Sequence, residues 1–159
     1  MSILKKNEVH FFLRITSKLA IVRCGIRKAI RVGKIKNKKV MPRPNECSVL
    51  DCLAVLMHYS IHMDGERDQN EINVAISKLK EWVPGEEELA IPALEKAVGW
   101  LANSNVGEEV IFCLDTIKSR MNKDALTAVL SDLKSIFEAD GKVTDEERKV
   151  YKIIVDHIK

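Results

Sequence analysis

The sequence predicts an all-α protein: a compact helical bundle of two pseudo-symmetric helix–turn–helix halves, preceded by a basic amphipathic helix. Three observations lead there. Apolar residues recur at three- and four-residue spacings along most of the chain, the period of one buried helix face. Aromatic residues make up only 5% of the composition while Leu, Ile, Ala, Lys and Glu are common, a balance that suits helices better than strands. One motif also occurs twice: Asp64-Gly65 with Asp68 and Glu71, and Asp140-Gly141 with Thr144 and Glu147, share the frame D-G-x-x-D/T-x-x-E at an offset of 76 positions. Around it, Leu53, Ala54, Met57, Ser60 and Ile61 align with Val129, Leu130, Leu133, Ile136 and Phe137. Two copies of one helical hairpin bury their apolar faces together, because neither could do so alone.

The elements follow in order. Residues 3–33 read as a long amphipathic helix with Phe11, Ile15, Leu19, Val22, Ile26, Ala29 and Gly33 along one stripe. Arg14, Lys18, Arg23, Arg27, Lys28 and Arg31 fall off that stripe. The basic run Lys34 to Lys39 and then Pro42-Arg43-Pro44 end the helix. This divides an arm and linker, residues 1–46, from a helical domain, residues 47–159. The first repeat helix is expected from about Val49 to His62, with Gly65 as its left-handed C-cap. Asp68-x-x-Glu71 forms a capping box for the next helix, which turns Ile72, Ala75, Ile76 and Leu79 inward. Val83-Pro84-Gly85 breaks it.

A third helix runs from about Glu87 or Pro92 to Ala102, and Asn103-Ser104-Asn105 closes it and caps a fourth, about Gly107 to Met121. That fourth helix carries Val110, Ile111, Leu114 and Ile117. Asn122 or Asp124 opens the second-copy helix, which ends at Gly141. Thr144-x-x-Glu147 is a second capping box, and Val150, Tyr151, Ile154 and Ile158 give the last helix its buried side. No strand is expected.

The 159 residues carry a net charge of +3 that conceals a strong asymmetry. Residues 1–46 hold 13 Lys/Arg against Glu8 and Glu46, whereas residues 47–159 hold 13 Lys/Arg against 21 Asp/Glu. A basic arm joined to an acidic domain points to charged partners. The arm residues Arg14, Lys18, Arg23, Arg27, Arg31, Lys36, Lys38 and Lys39 suit an anionic membrane surface or an acidic protein face. Nucleic acid is disfavoured, since the arm has no Trp or Tyr for stacking and no reading motif. Arg14 and Lys18 interrupt the apolar run from Val9 to Leu13, so no secretory signal is expected. No uncharged run nears the roughly 18–20 residues needed to span a bilayer; the longest is Cys52 to Met63. The expected location is cytoplasmic, peripheral at the inner membrane.

The acidic turns admit two readings. Gly65 and Gly141 supply the positive backbone angle that helix ends need, and the residues after them cap the next helices. Yet Asp64 and Asp140 would then sit where the helix dipole disfavours a carboxylate by roughly 0.3–1 kcal/mol, in both copies. Such a repeated local cost marks function unless the carboxylate bonds amides of the following turn. Asp64, Glu66, Asp68 and Glu71 together offer hard oxygen ligands of the kind Ca²⁺ or Mg²⁺ takes, although their spacing is not that of an EF-hand. The second copy offers Asp140, Thr144, Asp145 and Glu147 around Lys142 and Val143.

The segment Lys34-Ile35-Lys36-Asn37-Lys38-Lys39-Val40-Met41, an apolar helix running into Asp64-Gly65, and a second Asp140-Gly141 turn together resemble the TerB tellurite-resistance family and its wider TerB-like superfamily. The resemblance in order and spacing covers nearly the whole chain. It implies two pseudo-symmetric helical halves with an acidic surface that takes a divalent cation through Asp64, Glu66, Asp68, Glu71, Asp140, Thr144 and Glu147. It also implies a role in resistance to tellurite and other stresses, beside protein partners of a membrane-associated complex.

Other constellations are weaker. Asp51, His58 and His62 share a helix face, which reads as solvated rather than zinc-binding. The four cysteines form no C-x-x-C pair and read as reduced thiols; Cys47 and Cys52 stand too far apart along a helix to make a ligand pair. No nucleophile–base pair, glycine-rich phosphate loop or catalytic metal triad is present in the sequence, so no enzyme is expected. The sequence therefore predicts a non-enzymatic binding or adaptor protein of stress resistance, with Ca²⁺ or Mg²⁺ at its acidic turns. The alternative is a membrane-surface or nucleic-acid-binding adaptor acting through its basic arm, the acidic turns being only helix caps.

Overall fold

Among residues 47–62 and 68–159, which the computed structural model describes, every regular element is helical. They are α1 (Val49–Ile61), α2 (Gln69–Glu81), a single 3-10 turn (Glu87–Leu89), α3 (Ala90–Leu101), α4 (Val106–Arg120), α5 (Lys123–Phe137) and α6 (Asp145–Ile158). The predicted N-terminal helix and the Gly65 cap lie outside the described residues.

The first helix is central. Cys52 to Met57 and Tyr59 to Ile61 are all buried, so α1 is apolar around nearly its whole circumference, as a helix enclosed by others must be. It packs against α2, α3, α4 and α5, while α5 also meets α2 and α6, and α6 meets α4. One core runs through the described residues, with Trp100, Leu56, Met57, Leu114, Leu133, Ile136 and Ile154 among its largest enclosed side chains.

Local chemistry explains the boundaries. Ser48 caps α1 in a reciprocal box with Asp51: the Ser48 hydroxyl accepts from Asp51 N–H, and the Asp51 carboxylate accepts from Ser48 N–H, each at 3.0 Å. Asn122 caps α5 by accepting from Ala125 N–H at 2.8 Å. After Trp82, Gly85 takes φ +86°, open to glycine and strained for other residues. The two candidate starts of the third helix are both partly right: a 3-10 turn over Glu87–Leu89 leads into α3, and Pro92 falls in its first turn, where a missing N–H loses no helical bond. Asn105 precedes α4 without capping it; its side-chain amide instead donates to Glu108. The second-copy helix ends at Phe137 rather than at Gly141.

Long-range polar pairs fix how the helices sit. The Trp82 indole donates to Asp132 on α5 at 2.9 Å, and the Trp100 indole donates to Glu109 on α4 at 2.9 Å. Lys96 on α3 meets Asp51 at 2.7 Å. Burial alone would push the Asp51 carboxyl up, but Lys96 and Ser48 donate to it and hold it below its usual range. Because the folded value lies below the unfolded value of about 3.9, this stabilisation is present above that pH and is lost as pH falls through the folded value. Asp51→Ala should cost roughly 1–3 kcal/mol at neutral pH, shrinking below about pH 4. Urea unfolding at several pH values reads this directly; a gap unchanged down to about pH 3 would exclude an ionised partner role for Asp51.

Candidate functional site at the acidic turns

The second acidic turn is described completely. Beyond Phe137 the chain makes one further turn, with Ala139 N–H donating to Ile136 C=O and Gly141 N–H to Glu138 C=O, each at 3.1 Å. Gly141 adopts φ +77° in that extra turn and so is not the immediate cap. Asp140 accordingly lies outside the helix, and its carboxylate accepts from Lys142 N–H at 2.7 Å. The dipole penalty expected at a helix end is thereby relieved by a local amide, the Asx-turn arrangement.

Two residues later, Thr144 opens α6. Its hydroxyl accepts from Glu147 N–H at 3.2 Å, while one Glu147 carboxylate oxygen takes both Thr144 N–H and the Thr144 hydroxyl proton. Glu147 is only 2% exposed, a burial that a carboxylate tolerates when charge-assisted hydrogen bonds replace water. Beside it a shallow cavity of about 280 Å³ opens between α5 and α6, lined by Lys134, Phe137, Glu138, Val143, Glu147, Arg148 and Tyr151. Its floor is held by an edge-on contact of the Phe137 and Tyr151 rings, 6.0 Å between centroids, and by the Tyr151 hydroxyl donating to Leu130 C=O.

In the first copy Asp64 and Glu66 lie outside the described residues. Asp68 caps α2, but its carboxylate accepts from Asn70 N–H at 2.6 Å and not, as a capping box requires, from Glu71 N–H. Glu71 is buried at 4% exposure, matching Glu147 one repeat later. Of the seven predicted cation ligands, the structure thus places Asp68, Glu71, Asp140, Thr144 and Glu147. Thr144 and Glu147 meet at the start of α6, while Asp140 stays in the preceding bend; each of the three accepts from a backbone N–H. Among the described residues no group of three or more His, Cys, Asp and Glu side chains converges as a metal cage. The donor set that would suit a hard cation is richer in the first turn, through Asp64 and Glu66. The basic-arm residues Arg14, Lys18, Arg23, Arg27, Arg31, Lys36, Lys38 and Lys39 also lie outside the described residues. No helix among the described residues is long and apolar enough to cross a membrane.

Two further expectations change. The Asp51, His58 and His62 face is partly buried and not fully solvated: Asp51 turns to Ser48 and Lys96, and the His58 and His62 rings meet edge-on at 4.5 Å. Cys47 and Cys52 are not apart, because Cys47 precedes the helix and folds back over its first turn; their sulfurs are 3.5 Å from each other. The signal was present in Ser48-x-x-Asp51. Once that box is recognised, Cys47 occupies N′ and Cys52 N4, the two positions that meet in a hydrophobic staple.

Compared with protein-family models, curated proteins and solved structures, the chain has no match in any of the three.

Proposed function

We propose that the chain is a non-enzymatic, TerB-like binding or adaptor protein of stress resistance, its two helical hairpins related by the 76-residue repeat and its Asp-Gly turns taking Ca²⁺ or Mg²⁺. The observation that carries this reading is the matched burial of Glu71 and Glu147. Each sits in the first turn of the helix that follows an Asp-Gly pair in the sequence, and each is enclosed where glutamate is seldom found. Repeat-related pairs Leu53 and Val129, Met57 and Leu133, and Ile61 and Phe137 are likewise all buried. The two copies therefore share a buried glutamate and a matched apolar face, which supports a shared role for the acids beside them. Partners are acidic-turn ligands on one side and proteins of a membrane-associated complex on the other.

A second reading draws on the amide bonds that already engage Asp140 and Glu147. In it the acidic turns are caps, and the basic residues 1–46 bind an anionic membrane surface or a protein. One set of variants separates the two. Asp64→Asn with Asp140→Asn should abolish both Ca²⁺ or Mg²⁺ uptake in calorimetry and rescue of tellurite sensitivity in a deletion strain. No cation uptake by the wild type ends the cation reading. Full rescue by the double variant, with salt-sensitive liposome sedimentation that disappears on removing residues 1–46, establishes the second.

A further inference from the structure

Three thiols meet where the basic segment joins the helical domain. Cys47 is 8% exposed, and Cys52 and Cys113 are fully enclosed. Cys47 stands one residue before the Ser48 cap and Cys52 in the first turn of α1, with 3.5 Å between their sulfurs. Two anchors hold this arrangement. The Ser48–Asp51 box sets the direction in which the chain meets the helix, and Arg120 at the end of α4 donates to Cys47 C=O at 2.8 Å.

Cys52 is the thiol prepared to lose its proton. It is pulled down to about 7, first by the neighbouring Cys113 thiol and then by the Cys47 thiol 3.5 Å away, against the opposing effect of burial. The Thr116 hydroxyl is not a further donor, since its one proton goes to Phe112 C=O at 2.8 Å. The first-turn position adds to the effect, because a helix N-terminus favours an anion. Cys47 is pushed up to about 12, chiefly by burial and then by Cys52, so it stays protonated until its partner is oxidised.

We infer that Cys47 and Cys52 form a reversible intrachain disulfide, a redox-modification site that clamps the chain at the start of α1, with Cys113 as the positioning thiol. The oxidant is a hydroperoxide, which reaches the enclosed Cys52 when the non-helical chain at Cys47, the more exposed of the two, moves aside. The Cys52 thiolate attacks one peroxide oxygen and the O–O bond breaks. Cys52 becomes a sulfenic acid, and the departing oxygen takes a proton as water or an alcohol. Cys47 sulfur then displaces the sulfenic oxygen, which leaves as water with the Cys47 proton, and the S–S bond forms. Two thiols are oxidised and one peroxide is reduced by the same two electrons. The sulfurs must close from 3.5 Å to about 2.05 Å, a movement that the non-helical Cys47 backbone can make. Reduction by a dithiol restores the open pair. This site does not depend on a cation at the acidic turns.

The experiment treats the full chain with hydrogen peroxide, quenches with acid, alkylates in denaturant and maps peptides without reduction. The peptide spanning Cys47 and Cys52 should lose two hydrogen atoms and escape alkylation, and both thiols should return with a dithiol reductant. Cys24 and Cys113 should alkylate throughout. Cys47→Ala, a mild change at a residue outside the helix, should instead leave a Cys52 sulfenic acid that dimedone traps; far-UV circular dichroism confirms that the variant is folded. Cys113→Ala should slow disulfide formation roughly tenfold at neutral pH by returning Cys52 toward an ordinary thiol. Normal alkylation of both thiols after peroxide, a disulfide to Cys24 or Cys113, or a link between two chains would each overturn the inference.

Discussion

Trp100→Ala should unfold a large fraction of the protein under mild denaturant, at a cost of roughly 3–5 kcal/mol. Three features of the site set that size. The side chain is 1% exposed, so its removal leaves a cavity at the core and not a surface dent. The ring packs edge-on against Phe112, at 6.3 Å between centroids. Its N–H also donates to Glu109, a carboxylate only 7% exposed that loses this donor in the variant. A whole domain is stable by only about 5–15 kcal/mol, so the change consumes a large part of the margin. Trp100→Phe keeps most of the apolar volume but no indole N–H, and should cost roughly 1–3 kcal/mol. Urea unfolding followed by circular dichroism compares the two. A Trp100→Ala penalty below about 1 kcal/mol would show that the α3–α4 contact does not support the core.

Leu133→Ala should cost roughly 2–5 kcal/mol. Leu133 is fully buried on α5, the helix that meets α1, α2 and α6. Three neighbouring helices limit how far the surroundings can collapse into the space, which moves the expectation toward the upper part of that range. Leu126 and Leu130 on the same helix are only partly buried, so Leu126→Ala provides a control at about 1 kcal/mol. Equal losses at Leu133 and Leu126 would contradict the described face of α5.

Much of this architecture was legible from residue patterns because local chemistry dictates it. Ser48, Asn122 and Thr144 place helix starts through their own side chains, and Gly85 and Gly141 mark turns through positive backbone angles. The repeat frame also picks out Glu147 as the capping partner of Thr144, although not its burial. Its literal reading failed where one more turn separates Phe137 from Gly141, because a glycine signals a left-handed residue without saying how many residues earlier the helix stops. Asp68 similarly spent its carboxylate on the Asn70 amide, an option equally open to any acid at a helix start.

The polar pairs of the core were not legible for a different reason. Trp82 and Asp132 are 50 positions apart, Lys96 and Asp51 are 45, and Arg120 and Cys47 are 73. Only helix packing brings such residues together, and periodicity identifies a buried face without naming its neighbour. The thiol contact lies between these cases. It follows from the box around Ser48, yet α4 had to supply both Cys113 and the Arg120 bond that fixes Cys47.

The two indole–carboxylate pairs also determine what light reports about this molecule. Its only tryptophans stand beside anionic groups in different neighbourhoods, Trp82 between α2 and α5 and Trp100 between α3 and α4. Emission from a Trp82→Phe chain comes solely from the enclosed indole and should be shifted to the blue, whereas a Trp100→Phe chain emits solely from the half-exposed one. The protein thus carries two built-in optical gauges, and each can be read alone by silencing the other.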